Sequence, residues 1–327
     1  MLLLIDHLAY SSQLNVSAPS ITSLSPLVMP REGGILTLTG KNLGSASTEI
    51  TAKIGCDDSE LPGLNVLTHG HTWVQLQIPY GHGARLQIEL TVSGQSSCSS
   101  PYAFEYVPPQ VQAIIPESPR LQEVPEPSSN IIIIGNGFLN NSYLSVRFEV
   151  GNDVYEYDIS SNELHNSTHA VVTAPHGCDG SPRLVVLSGP TKETAQQSAE
   201  FVFSFAAPII SSVTPLSPAS TYGGFLVDIL GSNLAIDDPS CFICVWIDGF
   251  ECALVGRATV NSLRCAAPRG YGLALVDFMG PSGEVKFSGL QYAAPTISKL
   301  EPTTGNTDGG YSIVITGTNF GLQPTVK

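Results

Sequence analysis

Pro19-Ser-Ile-Thr-Ser-Leu-Ser-Pro26 opens a block that occurs four times in this chain. Each copy begins and ends with proline, and a short aliphatic stretch then closes on Gly-x-Asn or Gly-x-Gly. The other openings are Pro109-Gln-Val-Gln-Ala-Ile-Ile-Pro116, Pro208-Ile-Ile-Ser-Ser-Val-Thr-Pro215 and Pro295-Thr-Ile-Ser-Lys-Leu-Glu-Pro302. The closings are Gly40-Lys-Asn-Leu43, Gly135-Asn-Gly-Phe138, Gly231-Ser-Asn-Leu234 and Gly317-Thr-Asn-Phe320. Such repetition sets the architecture before any single residue is considered.

The spacing of the copies indicates separate domains. Successive opening prolines lie 90, 99 and 87 residues apart. Solenoid units are much shorter, about 20 to 50 residues. Each copy is therefore long enough to bury a core of its own.

The stretch before each closing glycine has the pattern of a half-buried strand. In the first copy Leu36 and Leu38 are aliphatic, whereas Thr37 and Thr39 are polar. The other copies keep the same two aliphatic positions, and this period of two predicts an antiparallel strand with one buried face. Glycine pairs precede it in three copies and predict turns with positive φ, whereas the second copy has Ser128-Ser129.

A second landmark follows in the three longer copies. It reads Ile78-Pro79-Tyr-Gly-His-Gly83, Ala174-Pro175-His-Gly-Cys-Asp-Gly180 and Ala267-Pro268-Arg-Gly-Tyr-Gly272. A strand ends here, a glycine turn begins, and a hairpin leads to the next opening proline. No stretch of about 12 residues keeps a helical apolar period, so we expect almost no helix. The sequence predicts an all-β protein of tandem immunoglobulin-like sandwiches, arranged as an elongated rod.

These landmarks resemble the IPT/TIG family of immunoglobulin-like (E-set) domains, over almost the whole chain. The third copy also contains Asp248-Gly249-Phe-Glu-Cys252, which is followed by a second cysteine in Arg264-Cys265-Ala-Ala-Pro268. The resemblance implies TIG repeats at 19–108, 109–207 and 208–294, here called repeats 1, 2 and 3. Repeat 2 is the most divergent, because it lacks both the glycine pair and the paired cysteines.

The two ends resemble parts of further repeats. Leu3-Leu-Ile-Asp6 parallels Ala274-Leu-Val-Asp277, so residues 1–18 are interpreted as the C-terminal hairpin of a preceding repeat. A signal peptide is the disfavoured alternative, because the apolar run is short and follows no basic residue. Residues 295–327 match the N-terminal part of another repeat. We expect an internal piece of a longer repeat protein; the alternative is completion of the two ends between neighbouring subunits.

Charge and hydropathy restrict the partners. The chain has 14 Lys and Arg against 28 Asp and Glu, for a net charge of −14. Although some members of the family occur in DNA-binding transcription factors, the lack of a basic patch predicts no nucleic-acid binding here. No apolar run is long enough to span a bilayer. The composition favours an extracellular or cell-surface location.

The resemblance also implies a disulfide, between Cys252 and Cys265 of repeat 3. Such a bridge would contribute about 3 kcal/mol by restricting the unfolded chain. Cys56 of repeat 1 occupies the place of Cys252, and Cys98 in the following hairpin is its expected partner.

The remaining cysteines are harder to place. Cys241 and Cys244 are expected to pair across two residues, and Cys178 is expected to be a free thiol or an intermolecular link. A zinc site made of Cys241, Cys244, Cys252 and Cys265 is the alternative. Disulfides are favoured over zinc because an extracellular setting is oxidising.

Candidate modification and metal sites are few. Asn15, Asn140 and Asn166 begin Asn-x-Ser/Thr triplets and are predicted glycosylation acceptors. Other polar groups were weighed as metal ligands and are interpreted as solvated side chains: His69, His71, His165, His169, His176, Asp57-Asp58 and Asp237-Asp238. No nucleophile with a base and no phosphate-binding loop is present, so no enzyme activity and no cofactor are predicted.

The function predicted from the sequence is structural. We expect a non-catalytic extracellular protein whose semi-rigid rod assembles with other chains in a fibre or sheath. One alternative is a cell-surface adhesion or receptor ectodomain. Another is a carbohydrate-binding accessory region of a polysaccharide-active enzyme. The predicted partners are therefore other protein chains, by self-association or adhesion, and glycans.

Overall fold

The computed structural model describes residues 17–45, 47–56, 63–121, 130–138, 143–160, 165–178, 180–236 and 241–321. Within these ranges every regular element is a β-strand, and the predicted all-β class is confirmed. The chain divides into two compact units. Unit 1 contains the residues up to Pro109 together with Ser188–Gln197, and unit 2 contains Gln110–Leu187 and Ser198 onward.

Repeat 1 forms its sandwich from one continuous set of paired strands and a short parallel pair. The paired strands run in the order β1-β3-β6-β5-β4-β7-β8, so β5 joins the two halves, and β2 pairs with β9. The strands are β1 (Ser20–Ser25), β2 (Val28–Met29), β3 (Gly34–Lys41), β4 (Ile50–Ile54), β5 (Gly63–Gly70), β6 (Trp73–Ile78), β7 (Ile88–Val92), β8 (Gln95–Cys98) and β9 (Glu105–Tyr106).

The described residues of repeat 2 form eight strands. They are β10 (Gln110–Ile115), β11 (Asn130–Asn136), β12 (Tyr143–Val150), β13 (Asp153–Asp158), β14 (His169–Thr173), β15 (Arg183–Gly189), β16 (Gln196–Gln197) and β17 (Phe201–Val202). One sheet has the order β10-β11-β14, and β12 and β13 pair in the other.

In the part of repeat 3 that the structure describes, two four-stranded sheets have the orders β18-β19-β23-β22 and β21-β20-β24-β25. Its strands are β18 (Ile209–Pro215), β19 (Leu226–Ser232), β20 (Cys244–Ile247), β21 (Phe250–Glu251), β22 (Ala253–Leu254), β23 (Ser262–Ala266), β24 (Leu273–Gly280) and β25 (Gly283–Gln291). Two further strands, β26 (Thr296–Glu301) and β27 (Val314–Thr318), pair with each other.

Each of the three repeats has its own hydrophobic core. The aliphatic positions ahead of the closing glycine lie in these cores. They are Leu36 and Leu38, Ile131 and Ile133, and Val227 and Ile229, each at most 1% exposed. The period of two in the sequence therefore identified the buried face of the strand correctly.

The closing glycine is required by a close approach of two backbones. In all four copies the opening strand pairs with the aliphatic strand antiparallel, and the register shifts at the same place, as between Ile21 and Ser23. A Cβ on the closing glycine would overlap a carbonyl oxygen of the opening strand: Ser20 for Gly40, Gln110 for Gly135, Ile209 for Gly231 and Thr296 for Gly317. Only glycine fits beside this bulge.

The asparagine of Gly-x-Asn ties the end of the strand back to the start of the repeat. Asn42, Asn233 and Asn319 have φ of 59°, 55° and 61°. Each Nδ2 donates to the carbonyl of the alanine before the opening proline, at 3.2, 3.2 and 3.4 Å. In repeat 2 the same place holds Gly137, with φ of 83°. Asparagine and glycine are the residues that tolerate this left-handed conformation best.

The Pro-x-Gly landmark is held by a tyrosine. Tyr106 Oη donates to the carbonyl of Pro79 at 2.9 Å, and Tyr292 Oη donates to that of Pro268 at 2.7 Å. A Cβ on Gly81 would lie 2.6 Å from the Tyr106 ring, so the glycine makes room for it. Burial raises the pKa of Tyr106 to about 12. Repeat 2 has Phe205 at the corresponding place and lacks the hydroxyl.

Candidate interaction surfaces

The structure joins two cysteine pairs within single repeats. Cys56 is bonded to Cys98, with a Cα–Cα distance of 5.6 Å, and Cys252 is bonded to Cys265, at 5.4 Å. These are the pairs that the sequence analysis expects. Each bridge lies within one sandwich, Cys56–Cys98 in repeat 1 and Cys252–Cys265 in repeat 3.

The third disulfide joins Cys178 to Cys241, so the expected pairing of Cys241 with Cys244 was wrong, and Cys178 is neither free nor an intermolecular link. Cys178 follows the Pro-x-Gly turn of repeat 2, and the fold brings its Cα within 5.2 Å of that of Cys241 in repeat 3. Side chains three residues apart on an extended chain point to opposite faces, which disfavours a bond to Cys244. Cys244 is the free, half-buried cysteine.

The histidines weighed as metal ligands have separate roles. His71 Nδ1 lies 3.3 Å from the carbonyl oxygen of Gly44, in a turn rather than on the strand with His69. His176 Nε2 lies 3.1 Å from Tyr155 Oη, His169 Nδ1 lies 2.8 Å from Thr168 Oγ1, and His165 is buried. Among the described residues no group of three or more His, Cys, Asp or Glu side chains is arranged to hold a metal ion. The predicted acidic pairs, Asp57-Asp58 and Asp237-Asp238, lie outside the described residues.

Of the three predicted glycosylation sites, only Asn166 lies within the described residues. Its side chain is exposed, and its Oδ1 accepts hydrogen bonds from the backbone N–H groups of Thr168 and His169, both at 2.9 Å. Asn15 and Asn140 lie outside the described residues.

The principal contact region of unit 1 lies at the turn after Pro79. Ala84 N–H donates to the carbonyl of Thr194 at 2.8 Å, and Gln196 Nε2 donates to that of Tyr106 at 2.6 Å. Arg85 also donates to the carbonyl of Glu193. The segment Ser188–Gln197 therefore packs on the turn of repeat 1 through both backbone and side-chain hydrogen bonds, a contact that no sequence motif indicated.

His82 lies in this contact region. Its Nδ1 is 3.0 Å from Ser188 Oγ. Burial, together with the positive charge of Arg31, lowers the pKa of His82 to about 4. His82 is therefore neutral at physiological pH and acts as a hydrogen-bonding group of the contact.

A cleft of about 1020 Å³ lies beside the same turn, within unit 1. Its lining combines an aromatic ring, Tyr80, which is 54% exposed, with apolar and amide side chains. The latter include Ile54, Leu64, Leu86, Asn65, Gln77 and Gln87.

Within unit 2, the junction of repeats 2 and 3 has a polar contact besides its disulfide. Asn233 Oδ1 accepts a hydrogen bond from the Leu121 N–H at 3.3 Å. Asn233 is therefore used twice, because its Nδ2 closes the strand motif of repeat 3. The described residues contain no helix long and apolar enough to cross a membrane.

Disulfide-containing sandwiches in series, with this bulged strand motif, define a class of tandem immunoglobulin-like proteins. Residues 19–106, 208–288 and 295–327 match the IPT/TIG domain, which is more than half of the chain. The chain belongs to the IPT/TIG family. Domains of this kind are generally non-catalytic.

Two human proteins are similar in sequence. Fibrocystin-L is 23% identical over 330 residues, which cover 94% of this chain and 7% of Fibrocystin-L. Plexin-A3 is 30% identical over 129 residues, which cover 37% of this chain and 7% of Plexin-A3. The chain therefore matches a small part of the length of each relative.

Among solved structures, the surface glycan-binding protein PbSGBP-B from Prevotella bryantii is similar at 12% identity. Its TM-score is 0.36, and the match covers 93% of this chain and 85% of that one.

The family and the disulfides indicate the same cellular location for the chain. Three disulfides within the described residues are typical of chains that fold in an oxidising compartment. The chain is extracellular or exposed at the cell surface, as predicted.

Proposed function

We propose that this chain is a non-catalytic interaction segment of a cell-surface, receptor-like protein, in which TIG sandwiches at 19–108, 109–207 and 208–294 present binding surfaces to other protein chains. One observation supports the proposal: within unit 2, repeats 2 and 3 are joined directly by the Cys178–Cys241 bond. Such contacts fix binding surfaces relative to one another. The human relatives, Fibrocystin-L and Plexin-A3, support the assignment to large multidomain proteins.

Assembly into a fibre or sheath is the competing proposal within the same class. Sedimentation velocity and negative-stain electron microscopy at micromolar concentration separate the two. Dispersed monomers support the receptor-like segment, whereas concentration-dependent filaments would replace it with the fibre. The secreted protein, with its disulfides intact, is the material to use.

Glycan binding is a second candidate, favoured by the cleft of unit 1. An exposed aromatic ring beside amide side chains is suited to a sugar, because the ring stacks on its apolar face while amides bond its hydroxyls. Tyr80→Ala should abolish any glycan-array signal of the wild type, whereas Tyr102→Ala, at an exposed tyrosine outside the cleft lining, should not. A wild-type array without signal removes this candidate.

Glycosylation at Asn15, Asn140 and Asn166 is proposed for the secreted protein. Enzymatic removal of N-glycans should lower the mass and convert each occupied asparagine to aspartate. Peptide mapping then identifies the used sites, and an unmodified mass excludes them.

A further inference from the structure

The turn after each Pro-x-Gly landmark makes a recurring contact. In repeat 1, His82 lies beside Ser188, and a Cβ added to the buried Gly83 would lie 2.6 Å from Cδ of Pro190. Pro190 belongs to the sequence Ser188-Gly189-Pro190, at the end of β15. A Gly-Pro hairpin therefore covers this turn.

Repeat 2 shows the same arrangement within unit 2. Cys178 occupies the position of His82 and is bonded to Cys241. A Cβ added to Gly180 would lie 3.4 Å from the carbonyl oxygen of Pro281, which belongs to Gly280-Pro281 between β24 and β25. In both repeats, the residue after Pro-x-Gly contacts a residue of the following repeat, and a Gly-Pro hairpin covers the turn.

Repeat 3 has the same turn, with a similar backbone. Tyr292 N–H donates to the carbonyl of Gly272 at 2.8 Å, as Tyr106 N–H donates to that of Gly83 at 2.9 Å. Tyr271 occupies the position of His82 and Cys178. The matching hydrogen bonds give the turn of repeat 3 the same backbone arrangement as the turn of repeat 1.

The turn of repeat 3 is apolar and exposed, unlike its counterpart in repeat 1. Tyr271 is 78% exposed, Leu273 is 61% exposed and Gly272 is also exposed. Tyr222 is 75% exposed and lies on the adjacent loop, because Thr221 accepts the Gly270 N–H at 3.1 Å. Clustered exposed tyrosines with an aliphatic neighbour have the composition of an interface core.

We propose that Tyr222, Tyr271 and Leu273 form a docking surface for the Gly-Pro hairpin of a TIG sandwich that follows repeat 3 in the same chain. Strands β26 and β27 are the opening strands of such a sandwich. Tyr271 is the central contact, because its position makes the inter-sandwich contact in both preceding repeats. Its phenol ring provides a larger apolar contact than His82 and needs no covalent bond.

The test places a complete sandwich after repeat 3. In one chain a copy of residues 109–207, with its cysteine corresponding to Cys178 changed to serine, replaces 295–327. In a second chain a copy of residues 208–294 replaces them, so that two different Gly-Pro hairpins are compared. Hydrogen exchange of peptides spanning Tyr271 to Leu273 should slow about tenfold relative to the original chain in both.

Variants separate docking from folding. Exchange within the strands of the added copy shows that it is folded, and the second chain serves if the first copy does not fold. Tyr271→Ala should restore fast exchange at the turn while the added copy stays protected, whereas Tyr102→Ala in repeat 1 should not. A folded added sandwich with unchanged exchange at the turn overturns the proposal. Protection that appears in the original chain only at high concentration would instead assign the surface to a second copy.

Discussion

Asn42, Asn233 and Asn319 each perform two tasks at the end of their strand. Each adopts a left-handed conformation, and each donates a hydrogen bond to the residue before the opening proline. The bulge beside the closing glycine and this bond hold the first strand of the repeat in one register. These residues explain why the motif recurs although it carries no catalytic group.

Asn42→Ala should lower the free energy of unfolding of repeat 1 by about 1–2 kcal/mol, because alanine loses the bond and strains the backbone. Asn42→Gly should cost less, since glycine adopts positive φ readily. The chain has two tryptophans, Trp73 and Trp246. In a Trp246→Phe background, Trp73 fluorescence during urea unfolding reports on repeat 1. Equal losses for alanine and glycine would contradict the conformational part of the argument.

Tyr292→Phe should destabilise repeat 3 by about 1 kcal/mol, because the hydroxyl no longer satisfies the carbonyl of Pro268. Tyr271→Phe is the matched control in the same repeat, since its side chain is 78% exposed, and it should have no effect. Trp246 fluorescence in a Trp73→Phe background measures both variants. A similar effect of the two changes would show that the hydroxyl of Tyr292 is not responsible.

Acidification should destabilise unit 1 through His82. Burial lowers its pKa in the folded state from 6.5 to about 4, so below pH 6.5 the unfolded chain binds a proton that the folded chain does not. The contribution of neutral His82 to the stability of unit 1 is complete above pH 6.5 and is lost as the pH falls toward 4. His82→Gln should show a shallower loss over this window by Trp73 fluorescence. Parallel pH profiles for the variant and the wild type would exclude His82 as the cause.

Among the elements, the pairs β1–β3, β10–β11, β18–β19 and β26–β27 show how much the sequence determines. Their period, bulge and turns depend on near neighbours, so the strands were predictable, and so were the buried faces of β3, β11 and β19. The segment Ser188–Gln197 was not predictable in this way, because its contacts with the turn after Pro79 join residues 106 to 113 positions apart. No local pattern in the sequence encodes contacts between such distant residues.

The disulfide between Cys252, which directly precedes β22, and Cys265 in β23 should stabilise repeat 3. Cys252 and Cys265 are buried, so replacing both with valine keeps the packing and removes the bond. The free energy of unfolding of the double variant should be about 3 kcal/mol lower, because a short loop is no longer closed in the unfolded chain. Trp246 fluorescence follows the transition. Unchanged stability would mean that the bridge does not form in the secreted protein.

At the scale of the whole molecule, the sandwich class was recognisable from the sequence, whereas the third disulfide was not. Cys178 and Cys241 are separated by 63 residues and belong to different repeats. Their proximity depends on how two sandwiches meet, and no periodic pattern encodes that. The contact surfaces were missed for the same reason. Aligning the repeats with one another would have singled out the residue after each Pro-x-Gly as a candidate contact position.

One free thiol per chain is expected after denaturation without reductant. Alkylation should label Cys244 alone, because the other six cysteines are paired. Non-reducing peptide mass mapping should recover Cys178 and Cys241 in one cross-linked peptide. A Cys241–Cys244 peptide, or three reactive thiols, would contradict this connectivity.

The Cys178–Cys241 bond also determines how the chain responds to pulling. Force applied at the two termini passes through this bond and bypasses the segment between the two cysteines, which are 63 positions apart. At about 3.3–3.6 Å per extended residue, the fully stretched molecule is shorter by about 200 Å while the bond is intact. In optical tweezers, reductant should release this hidden length as an additional extension. A chain under tension outside the cell would thus lengthen by an amount that depends on the redox state around it.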